Sequence, residues 1–200
     1  MQPKQLDALA AEIKGVITQK HLIISVISGA SISRIKELLE KDKLAVVRAM
    51  PNVAIRVGHS MTCLAFDGVS PEHKKTVESI FKSVGEVLEI PEQKFAEATV
   101  LVGSGPAIVF KFIRFYMQAA INAGFSEKAA LLLANNVVHG ASQLLIETGT
   151  HPEVLIDTVT TPGGCTIGAL LELEHKGFGS ALLSAIFAGI KRSNELYAKK

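Results

Sequence analysis

Two hundred residues, 48% of them hydrophobic and 20% charged, can fill one sizeable globular domain or two small ones, and they exclude an intrinsically disordered chain. The net charge of +2 comes from 21 basic and 19 acidic residues that alternate along the chain, as in KELLEKDK (36–43), so no basic face for nucleic acid is expected. Cys63 and Cys165 form neither a disulfide framework nor a C-x-x-C motif, which fits a reducing compartment.

In chain order, Leu6, Leu9, Ile13 and Ile17 share one face of an amphipathic helix predicted over 5–17. The run HLIISV (21–26) reads as a buried strand that turns at Ser28, Gly29 and Ala30 into a helix over 33–40. KLAVVRAM (43–50) is a second strand, stopped by Pro51 and Asn52, and SMTCLAF (60–66) a third. Ser70, Pro71 and Glu72 supply a cap, a first-turn proline and a first-turn acid for a helix reaching 83, and a strand at 86–90 closes this half.

Beyond Pro91 only helical periodicity is left, over 92–102, 106–123, 126–147, 152–159, 166–176 and 179–197. The sequence therefore predicts an α/β part at 1–90 followed by an all-α part at 91–200. The helix over 126–147 is small or apolar around most of its circumference, and a domain of about 110 residues has trouble burying it alone, so a symmetric partner subunit is expected. The longest uninterrupted apolar run, 129–134, is far below the ~18 residues of a membrane span, and the N-terminus lacks a charged-then-apolar leader; a soluble, non-exported chain is expected.

The richest local signal is TTPGGCTIGALL (160–171). Pro162 biases Thr161 away from the helical region, Gly163 and Gly164 can take positive φ, and Thr166 stands where a helix wants a hydroxyl cap. Such a loop can aim backbone N–H groups at a carboxylate or phosphate; its simpler reading is an ordinary helix entry. Asn52 has an amide that could orient a ligand or serve a turn. GSGP (103–106) separates two helical segments, but no strand precedes it and a third glycine is missing, so it is no dinucleotide fingerprint. Cys165 is read as a packing residue, and the histidines at 21, 59, 73, 139, 151 and 175 lack metal-ligand spacing, so no metal is predicted.

Four blocks, VVRAMPN (46–52), ATVLVGSGPA (98–107), FSEKAALLLA (125–134) and VTTPGGCTIGALLELE (159–174), together resemble pyrroline-5-carboxylate reductase, the last enzyme of proline biosynthesis. The resemblance implies an incomplete Rossmann-like nucleotide-binding sheet over 1–90, then a helical dimerisation and substrate-binding domain over 91–200. It implies hydride transfer from NADPH or NADH to the C=N bond of 1-pyrroline-5-carboxylate, giving L-proline, in a cytoplasmic homodimer or a higher oligomer built from dimers. No nucleic acid and no membrane partner is expected. Carried over residue by residue, Thr161, Gly163, Gly164, Cys165 and Thr166 bind substrate, with the backbone of Gly164, Cys165 and Thr166 at the carboxylate and Thr166 at the ring nitrogen as the catalytic candidate. Met50, Pro51 and Asn52 lie along the nicotinamide.

One feature of the family is not found in this sequence, the opening strand and G-x-G-x-x-G turn that hold the cofactor pyrophosphate, and Met1, Gln2, Pro3 and Lys4 fall where the family has a Lys-Pro block. The expectation is weak NADPH binding, poor turnover and an unpaired hydrophobic strand at 22–26. The alternative function is a non-catalytic dimeric ligand-binding module derived from the family. Hydroxyacid dehydrogenases share the two-domain plan but want a catalytic lysine early in the second domain, where only Lys111 is offered.

Overall fold

In the computed structural model residues 5–197 are described, so the correspondence drawn for Met1, Gln2, Pro3 and Lys4 lies outside the described residues. The α/β part comes first and the helices follow. Strands β1 (Leu22–Ser25), β2 (Ala45–Met50), β3 (Ser60–Asp67) and β4 (Gly85–Glu89) form one sheet in the order β1-β2-β3-β4. It is mixed: β1 and β2 are parallel, β2 and β3 antiparallel with Met50 opposite Cys63, and β3 and β4 parallel with Ser60 opposite Gly85. Among the described residues no strand pairs with the outer edge of β1.

The two-residue period of β2 sorts its side chains between two apolar layers. Val46 packs with Ile27, Ile32, Ile35 and Leu39 beneath helices α1 (Leu6–Ile13) and α2 (Ile32–Leu39). Val47 and Ala49 point the other way, to Leu64 and to Val77 and Phe81 of α3 (Pro71–Lys82). Met50 returns to the first face and joins Cys63, Ala65, Phe95 and Ala98. Helix α2 starts one residue earlier than its pattern predicts, because Ser31 caps it by accepting the Arg34 N–H at 3.1 Å, and it stops at Glu40 in the left-handed region at φ 57°. Ser70 caps α3 as the sequence indicates, accepting the His73 N–H.

From Glu92 to Asn122 the chain is helical without a break: a 3-10 turn (Glu92–Lys94), α4 (Phe95–Ala98), a π-helical turn (Thr99–Ser104) and α5 (Gly105–Asn122). The separation expected at GSGP is corrected here. Pro106 has no N–H to give the preceding turn, and the ladder widens into a π turn just before it instead of ending. Helices α6 (Glu127–Thr148), α7 (Pro152–Thr158), α8 (Cys165–His175) and α9 (Phe178–Tyr197) complete the chain. Residues up to Pro106 together with those from Ile186 form one compact unit, and Ala107–Ala185 form another.

The helices leave much apolar surface in water. No residue of α5 is buried and only Ala130 and Ala134 of α6 are, while Phe110, Leu132 and Ile146 are 60%, 65% and 73% exposed. By length and composition alone, Glu92–Asn122 and Glu127–Thr148 would also cross a membrane. Counting uninterrupted apolar runs overlooked this, because isolated Gly, Ser, Asn and His residues break a run while barely lowering its average hydropathy.

Gly85 begins β4 at φ 146°, and a Cβ there would lie 2.0 Å from the Ser60 carbonyl oxygen, a backbone atom of the paired strand. Gly85→Ala is expected to lower the unfolding free energy by at least the roughly 1–3 kcal/mol of such backbone strain, read as a lower urea midpoint, since the clash moves the ladder itself. An unchanged midpoint would mean that β3 and β4 separate here at no cost.

Candidate functional site

The loop between α7 and α8 is shaped by a tight turn. Thr160 Oγ1 donates to the Ile156 carbonyl at 2.7 Å and fixes the exit from α7. The Gly164 N–H then donates to the Thr161 carbonyl at 3.0 Å, with Pro162 second in the turn and Gly163 third at φ 68°, the signature of a type II turn. Gly164 itself is extended, at φ −80° and ψ 171°, so only one of the two glycines uses the positive φ open to both. Gly164 answers a different need: a Cβ on it would lie 2.4 Å from Thr161 Oγ1.

Helix α8 begins at Cys165 with Gly164 as its cap residue and no side-chain capping bond. The cap expected of Thr166 is therefore corrected. Thr166 belongs to the first turn, where its half-buried hydroxyl makes no hydrogen bond to a described residue. The N–H groups of Cys165, Thr166 and Ile167 precede the first intrahelical bond, from Gly168 N–H to the Gly164 carbonyl, and have no partner inside the helix. Gly164 N–H is already engaged by the turn. Three free N–H groups and a free hydroxyl at a helix N-terminus suit a carboxylate with a polar atom beside it.

Met50, Pro51 and Asn52 end β2. The Met50 side chain is buried, with its sulfur beneath Gly103 of the π turn, while Pro51 and Asn52 are half-buried. Asn52 Oδ1 accepts the Ala54 N–H at 3.0 Å and opens a 3-10 turn (Val53–Val57), and the Asn52 N–H donates to Ser60 Oγ at 3.2 Å. The turn role weighed for Asn52 is thus occupied by its oxygen, and its amide NH2 group stays available to a ligand. Thr161, Gly163, Gly164, Cys165 and Thr166 lie in the unit Ala107–Ala185, and Met50, Pro51 and Asn52 in the other.

Sequence reasoning passed over Arg48, which is buried on β2 and paired to Glu92 at 3.0 Å. The signal was available: a charge inside an apolar strand run needs a partner. Among the described residues no group of three or more His, Cys, Asp or Glu side chains is placed to hold a metal ion.

A family model described as pyrroline-5-carboxylate reductase dimerisation matches residues 92–196. Pyrroline-5-carboxylate reductase 1 of Dictyostelium discoideum is 40% identical over 213 aligned residues, a match that takes in 99% of this chain but only 38% of that protein's length. The pyrroline-5-carboxylate reductase of Methanosarcina acetivorans is 36% identical over 201 residues, covering 100% of this chain and 74% of its own length. The crystal structure of the Plasmodium falciparum pyrroline carboxylate reductase with NADP bound superposes with a TM-score of 0.90 at 27% identity, over 98% of this chain and 79% of that one.

The two thiols differ in access. Cys165 is exposed in the first turn of α8, whereas Cys63 is buried in β3, where desolvation pushes its thiol pKa up. Alkylation of the native protein followed by mass spectrometry is expected to label Cys165 alone, with Cys63 reacting only after denaturation. Labelling of both at equal rates would show that β3 opens in the native state.

Proposed function

The chain belongs to the pyrroline-5-carboxylate reductase family, and on that premise we propose that it reduces 1-pyrroline-5-carboxylate to L-proline with NADPH or NADH. The observation that carries this reading is the entry to α8, where the N–H groups of Cys165, Thr166 and Ile167 and the unpartnered Thr166 hydroxyl converge on one turn. The substrate is an anion with a ring nitrogen close to its carboxylate. The carboxylate takes the N–H groups, where the helix dipole adds roughly 0.3 to 2 kcal/mol, and the Thr166 hydroxyl faces the ring nitrogen. Gly164 acts through its shape, since its N–H is committed to Thr161, and Thr161 and Gly163 hold the turn.

The nicotinamide cofactor supplies the hydride when bound. Its reactive end fits the close of β2: Pro51 offers a half-buried apolar surface, Asn52 a free amide NH2 for a carboxamide oxygen, and Met50 supports both from below through the core. The carbon of the C=N bond takes the hydride and its nitrogen takes a proton from solvent, so no acid or base is needed at the carbon itself. The chain's part is to hold the two reactants together and to steady the charge on nitrogen.

The uncovered faces of α5 and α6 support a homodimer, to which higher oligomers can be added, and they give these apolar helices a role other than membrane insertion. Unpaired cysteines and an even mixture of charge support a cytoplasmic enzyme with no nucleic-acid partner.

The proposal is tested first by following NADPH and NADH oxidation with 1-pyrroline-5-carboxylate. Ligand binding with no oxidation of either would leave the non-catalytic module instead. Thr166→Val keeps the size and branching of the side chain and removes its hydroxyl; titration calorimetry is expected to show L-proline binding weakened by about 0.5 to 1.5 kcal/mol with the melting temperature nearly unchanged. Equal affinity in both proteins would remove Thr166 from the site. Sedimentation is expected to find a dimer at micromolar concentration, and a stable folded monomer there would contradict the assigned interface.

A further inference from the structure

The strand that ends at Met50 carries a guanidinium in its interior. The Arg48 side chain is 7% exposed and lies on the same face of β2 as Val46 and Met50, between the layer under α1 and α2 and the cluster around Phe95. Its Nη1 donates to Glu92 Oε1 at 3.0 Å, its Nη2 donates to the Ser28 carbonyl at 2.6 Å, and its guanidinium carbon stands 4.1 Å from the centroid of the Phe95 ring. Glu92 Oε1 also accepts the Ile32 N–H at 2.7 Å, so the same carboxylate holds the first residue of α2. Four stretches of backbone meet at one ion pair: β2 just before Met50, the loop after β1, the start of α2 and the start of the long helical run.

Stability alone is a poor account of this arrangement. A buried ion pair is often replaced by apolar side chains at little or no loss, because desolvation offsets most of the attraction. What an apolar pair cannot do is bond the Ser28 carbonyl and the Ile32 N–H, which lie at a loop and a helix end rather than within a ladder. Ser28 follows the carboxyl end of β1, and Met50, Pro51 and Asn52 close the carboxyl end of its parallel neighbour β2. Ligands of open α/β sheets bind at such ends.

We propose that Arg48 and Glu92 are positioning residues, which hold the loop at 28–31 and the block at 50–52 in fixed relation so that the nicotinamide end of the cofactor meets a preset wall. The inference rests on the proposed reductase reading. Phe95 is the second connection: Arg48 stacks on it, and it packs in one cluster with Met50, so a shift of the guanidinium reaches the block through side chains as well as along β2.

The variants to compare are Arg48→Met, Glu92→Gln and the double variant Arg48→Met with Glu92→Met. Methionine keeps an apolar stem at this position while removing the guanidinium, with its two bonds and its stacking on Phe95, and a cavity of about 210 Å³ bordered by Gly29, Ser31, Arg34 and the pair itself leaves room for repacking. Amide hydrogen exchange without cofactor is expected to speed up at 28–32 in Arg48→Met while the amides of β3 stay protected. Cofactor affinity, followed by NADPH and NADH fluorescence, is expected to fall roughly tenfold with the KM for 1-pyrroline-5-carboxylate changing by less than about twofold. Glu92→Gln, which retains an acceptor for the Ile32 N–H, is expected to fall between wild type and Arg48→Met. The double variant, with no uncompensated charge, is expected to recover melting temperature but not cofactor affinity, and it serves as the test should Arg48→Met fail to fold. Wild-type cofactor affinity in the stable double variant, or a substrate KM that moves as far as the cofactor affinity, would overturn the positioning role and leave the reductase reading standing. A wild-type protein that binds neither NADPH nor NADH would overturn both.

Discussion

Apolar helices that their own chain does not cover are the constraint on which the second half of this protein depends. The side chains of α5 and α6 place Phe, Leu and Ile on faces that remain in water. Water penalises this arrangement at about 25 cal/mol for each square ångström, and a second subunit removes the penalty by covering it. The candidate loop lies between α7 and α8, within the same unit as those faces. Subunit association therefore supports the scaffold from which the loop is hung, and the loop's own turn is free to be small and stiff.

Much of the fold was legible in the residues. The strands announced themselves by β-branched or alternating runs, β2 with a stop at Pro51 and Asn52 and β3 followed by the helix-start signals Ser70, Pro71 and Glu72. The change from strands to helices at Pro91 was legible for the same reason, since the apolar period changes there. Boundaries were less so. Ser31 and Ser33 are both plausible caps, and their hydroxyls in fact bond each other at 2.9 Å; only the direction of the backbone made Ser31 the residue that accepts the Arg34 N–H.

The candidate site was legible as composition and less so as geometry. TTPGGCT offered a turn that can aim N–H groups outward, beside the simpler reading of an ordinary helix entry, but not which residue would be first in the helix. That was decided by Thr161, whose carbonyl engages Gly164 and whose hydroxyl occupies the place of a Gly164 Cβ, so that the cap fell on glycine and Thr166 moved inside. The GSGP segment misled for a related reason. Glycine and proline usually end helices, yet a π turn satisfies the same loss of an N–H without ending one. Arg48 shows the limit most plainly: a strand pattern says that a charge is out of place, and only the tertiary fold brings Glu92, 44 positions away in sequence, to meet it.

The strand order β1-β2-β3-β4 bears on how the molecule is made. Every strand lies beside its immediate predecessor in the chain, so each ladder closes over a short loop or a single helix, and the entropy lost in closing it is small. The sheet can form early, by a first-order process independent of protein concentration. The helices that follow complete their cover only by meeting another chain, and that step is second-order. Assembly of this protein is thus divided by kinetic order: the sheet closes within one chain, and the cover of the apolar helices waits on the abundance of its own kind.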